Sequence, residues 1–394
     1  MKIECILPAG WQSALLLGRI DFGEGPTPVL LRNGRVEDMS TIASTVSDLL
    51  NDRSNNEALP QGRHVCAVTD LEVHSVWELT GAAPAIKLLA PVDLHCLKAA
   101  GVTFATSTLE RVIEERARGD ASAAENIRER LSDRIGKDIG SVEPGSEAAA
   151  RLKTALIGDG LWSQYLEVAI GPDAEIFTKA PVLSSVGWGD HIGVRSDSNW
   201  NNSEPEIVLV CDGKGQARGA TLGNDLNLRD FEGRSALLLA KAKDNNASCA
   251  IGPFIRLFDD RFGMDDVRRA EVNLEIVGRD NFVLNGRNNM NLISRDPAVL
   301  VSQTCGEHHQ YPDGFALFLG TMFAPVQDRN AAGQGFTHAV GDRVRISTEQ
   351  LGVLENQVTT SSHAAPWTFG ISALMRNLVD RGLIRTKPKG LKNV

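Results

Sequence analysis

The chain has 394 residues, of which 42% are hydrophobic, and a formal net charge of −9 at pH 7. That length and hydrophobicity are typical of a globular protein of two or three domains with a large core. Nucleic acids and anionic membranes select basic patches on the proteins that bind them. We therefore expect neither a nucleic acid nor a membrane as a partner.

Targeting and redox signals point to the cytoplasm. No stretch approaches the roughly 20 consecutive apolar residues of a spanning helix, and the first residues lack a charged segment followed by an apolar run. The six cysteines are scattered and form no C-x-x-C motif, so neither a disulfide framework nor a zinc ribbon is indicated. We expect a cytoplasmic protein with reduced thiols.

Residues 1–90 alternate short apolar runs with turn signals. The sequence Arg32-Asn-Gly34 is typical of a tight hairpin between two strands. A capping serine, Ser40, precedes apolar residues at helical spacing, which predicts a helix over 40–50. We predict a small α/β N-terminal domain over residues 1–90.

The remainder of the chain, residues 91–394, predicts a larger second domain. Ser107 and Glu110 fit a capping box that opens a helical pattern reaching Ile135. After residue 160 strand and turn signals dominate, without regular βαβ alternation. The sequence therefore predicts an α+β fold with a mixed or antiparallel β domain and peripheral helices.

An acidic pair at the start of an apolar run suggests a metal site. Glu204 and Glu206 lie two residues apart before the apolar run 207–210, so a strand would direct both carboxylates to one face. The segment 235–240 also reads as buried, which places the carboxylates beside a core. With Asp225 they would offer three oxygen ligands suited to Mg²⁺ or Mn²⁺. An isolated pair of this kind can instead be the solvated face of a strand.

Other motifs are absent or weak. The sequence has no phosphate loop, no dinucleotide fingerprint and no G-x-S-x-G elbow. His308 and His309 are adjacent, and neighbouring residues on a strand face opposite ways. We therefore interpret them as an exposed loop pair rather than joint metal ligands.

Five short motifs resemble the fumarylacetoacetate hydrolase superfamily over about residues 95–375. In chain order they are Glu204-x-Glu206, Gly223-Asn-Asp225 with Arg229, Lys243 ahead of Cys249–Pro253, Gly320-Thr321, and Gly341-Asp342 with 351–356. Further stretches are similar to the branch that contains 2-keto-3-deoxypentonate dehydratases: residues 97–104, 107–115, 160–165, 243–246 and 366–370. The resemblance implies a mixed β-roll catalytic domain over residues 91–394.

The resemblance also implies a cofactor, a substrate and an assembly. Glu204, Glu206 and Asp225 would hold Mg²⁺, or alternatively Mn²⁺, acting as a Lewis acid on the substrate carbonyl. The implied substrate is a 2-keto-3-deoxy sugar acid, and 2-keto-3-deoxy-D-xylonate would give 2,5-dioxopentanoate. Relatives associate as dimers or dimers of dimers, so we expect a homodimer or homotetramer.

Proton-transfer roles are implied for Glu110, Ser107 and Lys243. Glu110 would lie on a helix over the metal, and Ser107 occupies the position of a histidine in hydrolytic relatives. Because a Ser-Glu pair is a weaker base for water than a His-Glu pair, dehydration is favoured over hydrolysis. Lys243 would stabilise the developing negative charge or pass a proton, which requires a lowered pKa. Glu110 can alternatively serve only as a cap, and Lys243 can be a surface lysine.

Substrate-binding roles are implied for Thr321, Arg229 and Lys179. Thr321 would bind the substrate carboxylate, Arg229 would buttress Asp225 or reach a substrate oxygen, and Lys179 would line the same pocket. Each has a structural alternative. Thr321 could close a strand end, Arg229 could pair with Asp230 or Glu232, and Lys179 could be solvated.

Three other functions are compatible with this pattern. A metal-dependent hydrolase could cleave a C–C bond of an acylpyruvate or a diketo sugar acid. Lys243 could form a Schiff base with the keto acid without a metal. The chain could also be a non-catalytic protein that binds a sugar acid, although this function would not explain the three carboxylates.

Overall fold

A computed structural model of the chain describes residues 1–51, 59–78, 86–323, 325–329 and 333–384, apart from the side chains of 130 and 132–138. The strands are β1 (Leu16–Asp21), β2 (Pro26–Arg32), β3 (Arg35–Asp38), β4 (Arg63–Ala67), β5 (Lys87–Leu89), β6 (Cys96–Ala100), β7 (Ile176–Ala180), β8 (His191–Val194), β9 (Asn201–Asn202), β10 (Pro205–Cys211), β11 (Ala217–Asp225), β12 (Asn227–Leu228), β13 (Cys249–Leu257), β14 (Glu271–Val277), β15 (Val283–Asn289), β16 (Phe315–Phe318), β17 (Arg343–Thr348) and β18 (Gly352–Thr360). The helices are α1 (Val46–Asn51), α2 (Ala105–Ala117), α3 (Ala121–Ile139), α4 (Glu147–Gly158), α5 (Gln164–Ile170), α6 (Arg229–Glu232), α7 (Leu239–Lys243), α8 (Met264–Arg269), α9 (Pro297–Thr304) and α10 (Ile371–Asp380).

Two large sheets organise the molecule. An 11-stranded sheet runs β4-β3-β2-β1-β13-β11-β10-β16-β6-β7, with β5 also paired to β1. A five-stranded sheet runs β15-β14-β17-β18-β8, and its β17 and β18 pack against β11 and β13. The pairs β16–β6 and β18–β8 are parallel, whereas the other pairs of these two sheets are antiparallel. The predicted mixed β architecture with peripheral helices is confirmed.

The N-terminal strands are continuous with the large sheet. β1 pairs with β13, so strands from residues 16–67 extend the sheet that carries the acidic pair. The hairpin predicted at Asn33-Gly34 is confirmed, because both residues have positive φ between β2 and β3. The domain boundary at residue 90 stays a prediction.

The helix predicted over residues 40–50 begins later than expected. It starts at Val46 rather than after Ser40. The carboxylate of Asp93, distant in sequence, accepts the N–H groups of Val46 and Ser47 at 2.6 and 3.0 Å. Since these donors have no partner inside the helix, Asp93 fixes where the helix can begin.

The capping box predicted at Ser107 and Glu110 is wrong in register. Helix α2 follows Phe104, and Ser107 is its third residue, with its hydroxyl donating to the Phe104 carbonyl at 2.9 Å. Glu110 is therefore one turn further into the helix and free to form ion pairs.

No helix in the described part of the chain has both the length and the apolar character needed to cross a bilayer.

Strand β10 separates two hydrophobic cores. Ile207 and Leu209 pack in the core shared with the five-stranded sheet, and Val208 and Val210 pack in the core beneath α1. The strand predicted for the apolar run 207–210 is confirmed. The burial predicted for residues 235–240 is wrong: Leu237 is 94% exposed and lies in a short helical turn.

Candidate metal centre

Three carboxylates converge at one end of the β10–β11 hairpin. Glu204 directly precedes β10, Glu206 is its second residue and Asp225 ends β11. Pro205 lies opposite Asn224, and the Asp225 N–H donates to the Glu204 carbonyl at 3.0 Å. The three side chains are buried, and ligand oxygens from all three lie within 4.8 Å of one another. The predicted convergence is confirmed.

A glycine holds the second carboxylate in place. The Gly320 N–H donates to Oε2 of Glu206 at 2.6 Å. Gly320 has φ +101°, and a Cβ at this position would lie 1.9 Å from Oγ1 of Thr103. Only glycine fits there, because both the backbone conformation and the space exclude a side chain.

Three buried cations contact the carboxylates. Nζ of Lys243 lies 2.5 Å from Glu204 and 3.0 Å from Asp225, and Nζ of Lys179 lies 2.9 Å from Asp225. An Arg111 guanidinium nitrogen lies 2.5 Å from Glu204. The alternatives of a surface Lys243 and a solvated Lys179 are wrong, since both lysines are buried.

Burial and charge act in opposite directions on this cluster. Burial and the neighbouring carboxylates raise the pKa of Glu206 well above its ordinary value. Burial alone would raise the pKa of Asp225, but Lys179 and Lys243 outweigh it and lower that pKa. The carboxylates likewise outweigh burial at Lys243 and raise its pKa. The lowered pKa expected for Lys243 is therefore wrong for this arrangement.

The cavity beside the carboxylates contains more acid than base. Five carboxyl groups line it, contributed by Glu175, Glu204, Glu206, Asp225 and Glu232. The cationic side chains of Arg111 and Lys243 also line the cavity, and Lys179 forms an ion pair with Asp225. Because Arg111 is shared with Glu114, which is not a described lining residue, the cationic side chains balance the five carboxyl groups only in part. Three converging oxygen donors of this kind fit a hard divalent metal.

Arg111, Glu175 and Glu232 were missed from the sequence. Arg111 binds Glu232 at 3.1 Å and Glu114 at 2.7 Å in addition to Glu204. Burial raises the pKa of Glu232 to about 7, although Arg111 opposes this shift. Burial also raises the pKa of Glu175. No local pattern marks these residues, because they come from α2, the segment before β7 and α6.

Glu110 and Arg229 bind each other rather than the metal ligands. Glu110 accepts from Arg128 through both oxygens at 2.8 Å and from Arg229 at 2.7 Å. Arg229 also donates to Glu114 at 2.6 Å and stacks over Trp200. Neither Glu110 nor Arg229 is among the described residues that line the cavity. The expected contact from Arg229 to Asp225 is therefore replaced by pairing with α2.

The remaining predicted residues divide between cavity and scaffold. Thr321 lines the cavity and donates its hydroxyl to the Phe323 carbonyl at 3.2 Å. Ser107 remains engaged at the start of α2 and is not a described lining residue. His308 and His309 are exposed in a turn, which confirms the loop interpretation.

Comparison with known proteins finds a matching family model and two similar dehydratases. Residues 167–359 match the family model described as fumarylacetoacetate (FAA) hydrolase C-terminal. A probable 2-keto-3-deoxyxylonate dehydratase of Haloferax volcanii is 33% identical over 196 residues, which are 50% of this chain and 64% of that protein. A 2-dehydro-3-deoxy-D-arabinonate dehydratase of Saccharolobus solfataricus is 31% identical over 180 residues, 46% of this chain and 57% of that protein. The chain thus matches about three fifths of the length of these relatives.

A solved structure extends the likeness over most of the chain. It is a 2-keto-3-deoxy-D-arabinonate dehydratase complexed with magnesium and 2,5-dioxopentanoate. The two share 22% identity with a TM-score of 0.61, and the match covers 88% of this chain and 99% of that one. At this identity the match shows a common fold and confirms the predicted architecture. Over residues 167–359, just under half of its length, the chain is therefore similar to the fumarylacetoacetate hydrolase family.

Proposed function

We propose that this protein is a Mg²⁺-dependent dehydratase that converts a 2-keto-3-deoxypentonate to 2,5-dioxopentanoate. The observation that carries the proposal is the buried group of three carboxylates, Glu204, Glu206 and Asp225, at the edge of a cavity lined with acids and bases. The names of the two relatives and of the solved complex support this substrate class. Within the class we propose 2-keto-3-deoxy-D-xylonate and a cytoplasmic location.

The three carboxylates would hold the metal. Their oxygens are close together and need a positive charge, which Lys243 and Lys179 supply only in part. Bound Mg²⁺ supplies a Lewis acid that polarises the carbonyl of a keto acid. Mn²⁺ has similar ligand preferences and is expected to substitute.

Lys243 and Arg111 would orient the substrate. Both cationic side chains line the cavity, so they can donate to a carboxylate or to an oxygen that gains negative charge when a carbon-bound proton leaves. Thr321 adds a hydroxyl to the same cavity, and Lys179 forms an ion pair with Asp225. We propose binding and charge-stabilising roles for these four residues.

Glu175 is the proposed proton-transfer group. Dehydration removes a C3 proton and the C4 hydroxyl as water, after which a shift of the double bond toward C5 turns the C5 alcohol into an aldehyde. Glu175 lines the cavity, and burial raises its pKa above the ordinary value of a glutamate, which favours a proton-transfer role. Glu110, the residue first predicted for this role, is occupied by Arg128 and Arg229. Glu110 and Arg229 are therefore proposed to support α2, and Ser107 to stabilise its first turn.

An NMR assay tests this function. Purified protein is incubated with 2-keto-3-deoxy-D-xylonate or with its C4 enantiomer of the L series, with Mg²⁺ and after treatment with a chelator. We expect 2,5-dioxopentanoate only with metal, and preferential turnover of the D acid. Formation of pyruvate with glycolaldehyde would indicate an aldol cleavage. The hydrolase alternative is tested with an acylpyruvate, which water would cleave to pyruvate and a carboxylic acid. Metal-independent turnover with a borohydride-trapped adduct at Lys243 would indicate a Schiff base.

Two variants separate the carboxyl groups in that assay. We expect Glu175→Gln to lower kcat at least 100-fold while metal binding persists, because general acid–base groups contribute about 10²–10⁴-fold. Glu110→Gln should retain most of kcat per folded molecule. The reverse ranking would return the proton-transfer role to Glu110.

A further inference from the structure

A buried hydrogen-bond chain lies directly behind the acidic cluster. Nε2 of His338 is 3.0 Å from the backbone nitrogen of Ser203 and 2.9 Å from its hydroxyl oxygen. Nδ1 of His338 is 3.1 Å from a carboxylate oxygen of Asp342. All three residues are buried, and Ser203 immediately precedes Glu204.

The hydrogen bonds determine the tautomer of His338. The Ser203 backbone N–H can only donate, so Nε2 must carry a lone pair and Nδ1 must carry the proton that Asp342 accepts. Burial lowers the pKa of His338, which keeps the ring neutral. The ring therefore accepts on the side of the acidic cluster and donates on the other side.

The chain continues from Ser203 to the carboxylates. The amide of Asn224 donates to the Ser203 hydroxyl at 3.0 Å, and its oxygen accepts the backbone N–H of Glu204 at 3.2 Å. Asn224 is followed by Asp225, whose N–H donates to the Glu204 carbonyl. One asparagine thus links the backbone before β10 to the end of β11, where the two ligand segments meet.

The other end of the chain is anchored in the five-stranded sheet. Asp342 precedes β17 and accepts two bonds from Arg329, at 2.5 and 2.8 Å, and one from the Ala339 N–H at 3.0 Å. Arg329 also binds Asp280, just beyond β14. Arg329 and the Ala339 N–H therefore hold Asp342 in place to accept the hydrogen bond from Nδ1 of His338.

The order Ser–His–Asp resembles a hydrolytic triad, but two features exclude a nucleophile. The lone pair that would take the serine proton already faces the Ser203 N–H. Neither Ser203 nor His338 lines the cavity among the described residues, and Ser203 is fully buried. A substrate carbonyl has no access to the hydroxyl.

We propose that His338, oriented by Asp342, is a positioning residue of the metal centre, which fixes the spacing of Glu204 and Asp225 through Ser203 and Asn224. The inference rests on the proposed function only in its use of a divalent metal. Groups that orient metal ligands typically change metal affinity 10- to 100-fold when they are removed. The expected effect therefore falls on affinity for the metal rather than on the chemical step.

The test measures binding of Mn²⁺ alone by electron paramagnetic resonance, without substrate. His338→Leu removes the acceptor, His338→Gln retains an acceptor oxygen, and Ser203→Ala removes only the hydroxyl between His338 and Asn224. His95→Leu is the matched control, because His95 is equally buried beside an aspartate, Asp93, at 3.8 Å. Circular dichroism establishes which variants fold.

We expect His338→Leu to raise the Kd for Mn²⁺ about 10- to 100-fold. The Kd of His338→Gln should lie between those of wild type and His338→Leu, and His95→Leu should have the wild-type Kd. Ser203→Ala should weaken binding even if His338→Leu does not fold. In turnover assays the metal concentration for half activation should rise, while kcat at saturating metal stays within about threefold of wild type. Wild-type affinity in folded His338→Leu and Ser203→Ala, or equal weakening in His95→Leu, overturns this inference alone. Failure of the wild type to bind Mn²⁺ overturns it together with the proposed function.

Discussion

Glu206 combines full burial with two neighbouring carboxylates, and a single backbone N–H from Gly320 orients it. We predict that Gly320→Ala destabilises the fold by about 2–4 kcal/mol, from backbone strain and from crowding against Thr103. Mn²⁺ binding should weaken as well, because the N–H moves. Urea unfolding and Mn²⁺ titration measure the two effects.

Gly10→Ala is the control for Gly320→Ala. Gly10 also has positive φ, but a Cβ there meets nothing within 4 Å. The strain alone should cost about 1–2 kcal/mol, with Mn²⁺ affinity unchanged. Equal losses in both variants would show that crowding at Thr103 contributes nothing.

At the scale of elements, α2 presents two adjacent residues to different neighbours. Arg111 reaches the acidic cluster, whereas Glu110 binds Arg128 on α3 and Arg229 on α6. Successive helical residues differ by about 100° around the axis, so both contacts are compatible with one helix. This helix therefore ties the metal centre to the helical layer.

We predict that Glu110→Gln lowers the free energy of unfolding by about 1–3 kcal/mol at pH 7, because it removes charge-assisted hydrogen bonds. Burial would raise the pKa of Glu110, but Arg128 and Arg229 outweigh it and lower that pKa. The stabilisation is therefore present above the unfolded-state pKa, near 4, and disappears as the pH falls through the lower folded-state pKa. Urea unfolding of both proteins from pH 7 to pH 3 measures the difference.

The exposed ion pair of Glu147 and Arg151 provides the control for Glu110→Gln. Glu147→Gln should leave the unfolding free energy almost unchanged, since its side chain is 97% exposed. A Glu110→Gln difference that grew toward low pH would contradict the ion-pair account.

Leu209 in strand β10 is buried, whereas Leu237 in the turn before α7 is exposed, so their mutations should have different effects on stability. We expect Leu209→Ala to cost about 2–5 kcal/mol because it leaves a cavity between the sheets. Leu237→Ala should change the unfolding free energy by less than about 0.5 kcal/mol, since Leu237 is exposed. Urea denaturation tests both. A large loss at Leu237 would restore the burial first predicted for that segment.

The elements also show how far local sequence patterns reach. The alternation of β10 and the hairpin turn at Asn33-Gly34 were predictable because each depends on a few neighbouring residues. The start of α1 was not, because Asp93 lies 47 residues from Val46. Arg111 and Glu232 were missed for the same reason, since only the fold brings them to Glu204.

For the whole molecule, a bound divalent cation should couple the site to global stability. At a metal concentration 100 times Kd the folded state gains about 2.7 kcal/mol. Thermal unfolding with and without Mg²⁺ should show the corresponding rise in Tm, and chelator should reverse it. Glu206→Gln should lose the rise yet keep the metal-free Tm, because burial already favours a neutral side chain at this position. A metal-dependent rise retained in Glu206→Gln would remove Glu206 from the ligands.

Assembly stays a prediction at this scale. We expect a homodimer or homotetramer, and light scattering after gel filtration should give two or four times the mass of one chain. A single-chain mass across micromolar concentrations would contradict this expectation.

The β10–β11 hairpin has one more consequence, which concerns insertions. The convergence of the three carboxylates depends on the strand register that places Pro205 opposite Asn224. A slip of two residues would leave every side chain on its own face, and so could preserve both cores, yet it would move Asp225 about 6.6 Å along the strand. A longer loop at residues 212–216 that causes this slip would therefore abolish binding of the divalent metal while the protein still folds.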